Sequence, residues 1–151
     1  MKALKKQSIL PRIDGIQRDL SRLRELATLP VGEFEKRGDN FALAQFYLRQ
    51  ALEGVFHIGS HILSRLPGGR ATEYKEIARL LGEREVVPLE FVNKGLAPMA
   101  GYRTRLTHFY YEVGPREILD ILQNRLSDID AFLDYVRDLL KNPARLGLTI
   151  E

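Results

Sequence analysis

Apolar residues recur every three or four positions through most of this chain, the spacing that lines one face of a helix. Ile13, Ile16, Leu20 and Leu23 form the buried stripe of a first helix, which Pro30 and Gly32 close. Gly38-Asp39-Asn40 offers N-caps for a long second helix. Its stripe runs Leu48, Leu52, Val55, Gly59, Ile62, Leu66 and stops at Pro67-Gly68-Gly69. Thr72 caps a short third helix ending at Gly82, and Pro88 sits where the first turn of a fourth tolerates it. After Gly114-Pro115, Ile118, Leu122, Leu126, Ile129, Leu133, Val136 and Leu140 predict one long last helix ending near Asn142-Pro143. No strand alternation and no internal repeat competes with these elements. The pattern therefore predicts an all-α fold, an antiparallel bundle of about five helices with short connections.

Composition narrows the picture. A chain of 151 residues has the usual length of one domain, so residues 1–151 are expected to form one, with 44% hydrophobic and 28% charged residues supplying an ordinary core and surface. It has no cysteine, which excludes disulfides and thiolate metal sites. No apolar run approaches membrane-spanning length, and the lysine-rich start leads into polar Gln7-Ser8 rather than a signal-peptide core. The expected location is cytoplasmic. The net charge of +3 is modest but uneven: Lys2, Lys5, Lys6, Arg12, Arg18, Arg22 and Arg24 face only Asp14, Asp19 and Glu25 in the first 25 residues. That region either meets a phosphate backbone or is a solvated helix face.

Candidate chemistry gathers in the fourth helix. With Leu89 at zero and 100° per residue, Val92, Leu96, Met99 and Leu106 fall on one stripe, and so do Arg103 and Tyr110. An arginine there needs a carboxylate, an interface or an anionic ligand. His108 points about 140° away from Arg103 in a straight helix. To act together, the helix must end or bend between Leu106 and Phe109, or the two side chains must meet in a cleft built by two subunits. The second helix carries a polar back of Arg49, Gln50, Glu53, His57 and His61. Either this side is simply solvated or it faces a cleft, with Glu53 as a partner for an arginine. His57 and His61 are four apart, yet no third ligand or His-Glu-x-x-His motif accompanies them, so no metal site and no cofactor is expected.

Residues Arg103-Thr104-Arg105-Leu106-Thr107-His108-Phe109-Tyr110 spell Arg-x4-His-x-Tyr. With the second-helix run Phe46 to Glu53, Ile58 to Ile62, Val87-Pro88-Leu89, Met99 to Arg103 and the closing amphipathic helix, the chain resembles the HepT-like (DUF86) branch of the HEPN superfamily over roughly residues 10 to 141. The resemblance implies a helical homodimer whose motif helices line a shared cleft, and a metal-independent endoribonuclease toxin of a type II toxin–antitoxin system acting on RNA. It assigns Arg103 to charge on the scissile phosphate and His108 to the proton of the ribose 2′-hydroxyl or the leaving oxygen. It makes Tyr110 the acceptor of AMP from a partner, a minimal, MntA-like nucleotidyltransferase antitoxin. Many relatives carry asparagine after the motif arginine, where this chain has Thr104, a residue without an amide donor. Arg105 either adds positive charge to the cleft or is a surface residue. The alternative is a non-catalytic, nucleotide-binding helical partner of such a nucleotidyltransferase, and a third reading leaves Arg103 as an internal ion-pair residue.

Overall fold

A computed structural model of the chain describes residues 2–36, 38–68 and 71–151. Helix α1 spans Lys6–Ala27 and buries Ile9, Ile13, Ile16, Leu20 and Leu23, the expected stripe extended one turn towards the N-terminus. A short helix α2, Val31–Lys36, comes next and buries Phe34. Helix α3, Gly38–Ser64, is the longest element, and its Leu48, Leu52, Val55, Gly59 and Ile62 are all buried. Asp39 and Asn40 lie inside its first turn rather than before it, and Gly69 of the expected stop lies outside the described residues. The pair α1 and α3 forms the spine of the bundle. They approach closely at Gly54, where a Cβ would stand 2.8 Å from Ile16 Cγ1. Asp19, the one buried charged side chain among the described residues, sits in this seam and accepts hydrogen bonds from Gln50 Nε2 at 3.0 and 3.2 Å.

Helix α4, Tyr74–Glu83, packs on α3 and α6. Its N-cap position is Glu73, with no side-chain cap, so Thr72 does not play the expected part. The fourth expected helix is broken. One turn, α5 (Leu89–Phe91), leads into a π turn over Val92–Leu96, and only then does α6 run from Ala97 to His108. A π turn inserts an extra residue and shifts the rest of the helix by about one position, roughly 100°. That is why Leu89 leaves the stripe and is 62% exposed, while Val92, Leu96, Met99 and Leu106 stay buried.

A 3₁₀ turn at Tyr110–Glu112 separates α6 from α7, Pro115–Asn124. The expected long last helix is two helices, α7 and α8 (Leu126–Lys141), divided at Arg125. Sequence spacing hid the break because Ile118, Leu122, Leu126, Ile129, Leu133 and Val136 are buried on both sides of it. The expectation of no strands also needs correction: β1 (Lys2–Leu4) and β2 (Leu148–Ile150) form a two-stranded parallel sheet, Lys2 opposite Leu148 and Leu4 opposite Ile150. The bundle otherwise stands as expected, all-α in class around one continuous core. Among the described residues no helix is long and apolar enough to cross a membrane.

Candidate nuclease cleft

Arg103 projects from the middle of α6 towards α3 and α4 and is held by both. Its Nη2 reaches Glu53 Oε1 of α3 at 3.3 Å. Its guanidinium lies over the ring of Tyr74, 4.4 Å from the centroid, a cation–π contact. Tyr74 in turn stacks on Phe56 of α3 with ring centroids 4.8 Å apart and planes 7° from parallel. The result is a Phe56–Tyr74–Arg103 pile that fixes the guanidinium plane. The Arg103 Nε is buried and has no hydrogen-bond partner among the described residues, which leaves one donor of this fork uncommitted.

His108 is the last residue of α6, and the chain turns away at Phe109 with φ −131° and ψ 34°. His108 is thus still helical, and the helix ends only after it. One cleft of 560 Å³ is lined by Thr72, Glu73, Tyr74 and Lys75 from the start of α4 together with Arg103, Thr104 and His108 from α6. Arg103 and His108 share it because the arginine is long and lies across Tyr74, whereas His108 stands one turn beyond Thr104 on the same flank. The Thr104 hydroxyl donates to the carbonyl of Ala100 at 3.0 Å.

The other candidate residues are distributed around this cleft. Tyr110 is 61% exposed and, with Arg49, Gln45, Phe46, Leu106 and Thr107, lines a second cleft of 330 Å³ between α3 and α6. Gln45 Nε2 donates to the Tyr110 carbonyl at 3.4 Å and so ties the 3₁₀ turn to α3. Arg105 points elsewhere: both its Nη groups engage the Glu117 carboxylate of α7, a two-pronged pair that raises the guanidinium pKa. Arg105 therefore braces α6 against α7.

His57 and His61 of α3 do not converge. His57 Nδ1 lies 2.9 Å from Arg12 Nη1, and His61 Nε2 accepts the backbone N–H of Lys5 at 3.2 Å. Burial lowers both imidazole pKa values, helped by Arg12 and Arg103 at His57, where Glu53 opposes, and by Arg65, Lys5 and Arg12 at His61. Tyr74 and the first turn of α4 had no signal in the sequence. An aromatic that opens a short amphipathic helix reads as core, and only the fold turns its face to Arg103.

The chain is thus an all-helical bundle spined by two long helices, with an arginine and a histidine of a third helix sharing one open cleft. Residues 16–136 match the family model described as ribonuclease HepT-like, and the chain belongs to that family. A relative, the tRNA nuclease HepT of Aphanizomenon flos-aquae (strain 2012/KM1/D3), is 22% identical over 129 residues, 85% of this chain and 87% of its own length. Solved structures share the fold. A toxin–antitoxin crystallised with AMP-PNP superposes with a TM-score of 0.79 at 19% identity, covering 87% of this chain and 98% of its own. The tri-AMPylated Shewanella oneidensis HEPN toxin in complex with MNT antitoxin gives 0.77 at 20% identity, covering 86% and 96%.

Proposed function

We propose that this chain is a metal-independent endoribonuclease toxin of a type II toxin–antitoxin pair, acting as a homodimer, with Arg103 and His108 as its catalytic residues. One observation carries the reading: Arg103 and His108 line a single open cleft, with the guanidinium plane fixed by Glu53 and Tyr74. In this cleft the ribose 2′-oxygen attacks the adjacent phosphorus as the bond to the 5′-oxygen breaks, leaving a 2′,3′-cyclic phosphate and a 5′-hydroxyl. His108 takes the 2′-proton or returns one to the departing 5′-oxygen, and Arg103 holds the charge that builds on the non-bridging oxygens. The substrate is RNA because DNA lacks the attacking hydroxyl. No metal is required, since guanidinium and imidazole supply both charge and proton transfer.

Neutralisation acts through Tyr110. Its exposure leaves the phenol open to a partner nucleotidyltransferase. The phenolic oxygen attacks the α-phosphorus of ATP, pyrophosphate leaves and the phenolic proton is lost, so the tyrosine carries AMP. The added negative charge beside Arg49 and the α6 cleft repels an RNA backbone. The AMPylated, antitoxin-bound Shewanella relative supports this reading.

The test incubates the purified chain with labelled tRNA and single-stranded RNA in EDTA, beside Arg103→Ala and His108→Ala variants of unchanged helicity. Each variant is expected to lose on the order of 10² to 10⁴ in rate. Cleavage indifferent to His108 would sink the reading. A second reading, a non-catalytic partner subunit of the nucleotidyltransferase, is favoured by Thr104, whose hydroxyl is turned back to the Ala100 carbonyl and offers no amide to a phosphate. Complex formation with no cleavage by any form would establish it.

A further inference from the structure

We infer that the edge of α3 from Arg49 to Arg65, with Arg12 of α1, is a phosphate-binding track that holds the RNA backbone flanking the scissile phosphate. This inference rests on the ribonuclease reading and extends it to where the substrate lies. Arg49, Glu53, His57, His61 and Arg65 succeed one another at intervals of four along α3 and the residue just past its end. Each step rises about 6 Å and turns about 40°, so the series descends about 24 Å and winds diagonally from the α6 side of α3 to the N-terminal end of α1. The structure shows this winding. Glu53 meets Arg103 of α6, His57 meets Arg12 of α1, and His61 meets the Lys5 backbone just ahead of α1.

The track differs from most of the molecule in how its charges are paired. Most arginines elsewhere meet carboxylates: Arg24 with Asp130, Arg79 with Glu76 and Glu83, Arg105 with Glu117, Arg116 with Glu35, Arg125 with Asp128 and Arg137 with Asp134, while Arg22 lies over the Tyr47 ring and Arg145 donates to the Glu85 carbonyl. Along the track none of Arg12, Arg49 and Arg65 has a carboxylate partner among the described residues. Arg12 faces an imidazole instead, and Arg65 Nε is buried without a hydrogen-bond partner. Of the two carboxylates beside the track, Glu53 is engaged with Arg103, and Asp19, in the α1–α3 groove with Arg12 and His57, is buried and accepts from Gln50.

The two histidines leave that positive charge uncompensated. Arg12 can only donate, so His57 Nδ1 is the acceptor and its ring proton sits on Nε2; His61 accepts at Nε2 and carries its proton on Nδ1. Neutral rings that present N–H groups among unneutralised cations make donors for phosphate oxygens and have nothing to offer a cation. The track begins beside the Tyr110 cleft, passes Arg103 and continues along the α1–α3 groove, so a strand cut at Arg103 is held on both sides. Such contacts bind ground state and transition state alike and read no bases.

The test measures binding apart from cleavage, by fluorescence anisotropy of labelled single-stranded RNA on the full chain carrying His108→Ala. Into it are placed Arg12→Gln, His57→Gln and Arg65→Gln, singly and together, with Arg24→Gln and Arg116→Gln as controls at paired surface arginines. Circular dichroism confirms the fold of each. The expected result is a loss of roughly fivefold in affinity at about 0.1 M salt for each arginine replaced, with the slope of log K against log salt falling by about 0.7 per arginine, and for His57→Gln a smaller loss with the slope unchanged, because a neutral ring releases no counterion. Arg12→Lys and Arg65→Lys should restore most of the affinity, because a phosphate track needs charge more than geometry; this pair also covers the case in which a glutamine variant does not fold. Affinity and salt slope equal to the parent's in folded track variants would overturn the inference while leaving the nuclease reading intact. Loss of capture by the partner nucleotidyltransferase with RNA affinity unchanged would overturn it in favour of a protein-docking edge. A parent that binds no RNA would overturn the nuclease reading itself, and the track with it.

Discussion

His57 and His61 give the chain a titration that opposes folding in mild acid. Burial and neighbouring cations hold both imidazoles below the ordinary value of 6.5. The unfolded chain then binds protons more readily than the folded one as pH falls, so this contribution to stability is complete above 6.5 and is lost as pH drops through the depressed folded values. Melting curves between about pH 7.5 and about pH 5 should show the midpoint falling, and falling less in the His57→Gln/His61→Gln double variant. Equal slopes for the two proteins would show that the rings are not held neutral. Glu53 is a different case, since it touches Arg103 rather than any reacting atom. On the proposed reading Glu53→Gln keeps an acceptor oxygen but removes its charge, so the guanidinium rests on Tyr74 with a weaker tether. RNA cleavage should slow roughly 10- to 100-fold, mostly in kcat, with the melting midpoint little changed. Arginine on an apolar stripe was legible from spacing alone, whereas Glu53 was only one of two readings, a partner for an arginine or part of a solvated helix face, and the contact with Arg103 decided it. Tyr74 and Phe56 were not, because stacking across two helices leaves no mark in either helix's own periodicity.

Between residue and bundle, the π turn at Val92–Leu96 sets the phase of α6 and so decides which way Arg103 points. Gly82 of α4 lies against it: a Cβ there would stand 2.7 Å from Val92 Cγ2 and 3.3 Å from Leu89 Cδ1. Valine is stiff at χ1 and cannot step aside cheaply. Gly82→Ala should therefore cost about 1–3 kcal/mol in chemical denaturation. It should also cut RNA cleavage beyond what the lost stability explains, because α6 would shift. A variant as active and stable as the parent would show that the turn is not wedged there. The stripes of α1 and α3 were readable because one face is buried along their whole length. The π turn was not, since Val92, Leu96 and Met99 keep helical spacing across it. The break at Arg125 escaped for the same reason, and the strands escaped because three residues are too few to show alternation.

At the scale of the molecule, the two ends of the described chain close on each other. Leu4 and Leu148 are buried in the parallel pair, and Glu151 both donates to the Leu4 carbonyl at 2.8 Å and accepts from Lys6 N–H at 3.0 Å. Lys5, in the same segment, donates to His61 on the edge of α3. Ending the chain after Gly147 removes Leu148 from the core and should lower stability by about 1.5–3 kcal/mol. On the proposed reading it should also weaken RNA binding, because the α1 end of the phosphate track loses its anchor. Anisotropy and thermal melting on the shortened chain check both effects, and unchanged RNA affinity in a destabilised chain would separate the sheet from the track.

The pile of Phe56, Tyr74 and Arg103 also makes the cleft optically addressable. The chain contains no tryptophan, and indole is the best aromatic seat for a guanidinium. Tyr74→Trp would place the molecule's sole indole directly beneath the arginine assigned to phosphate. Its emission would then register the guanidinium lifting from the ring, a built-in gauge of occupancy that needs no label on protein or nucleic acid.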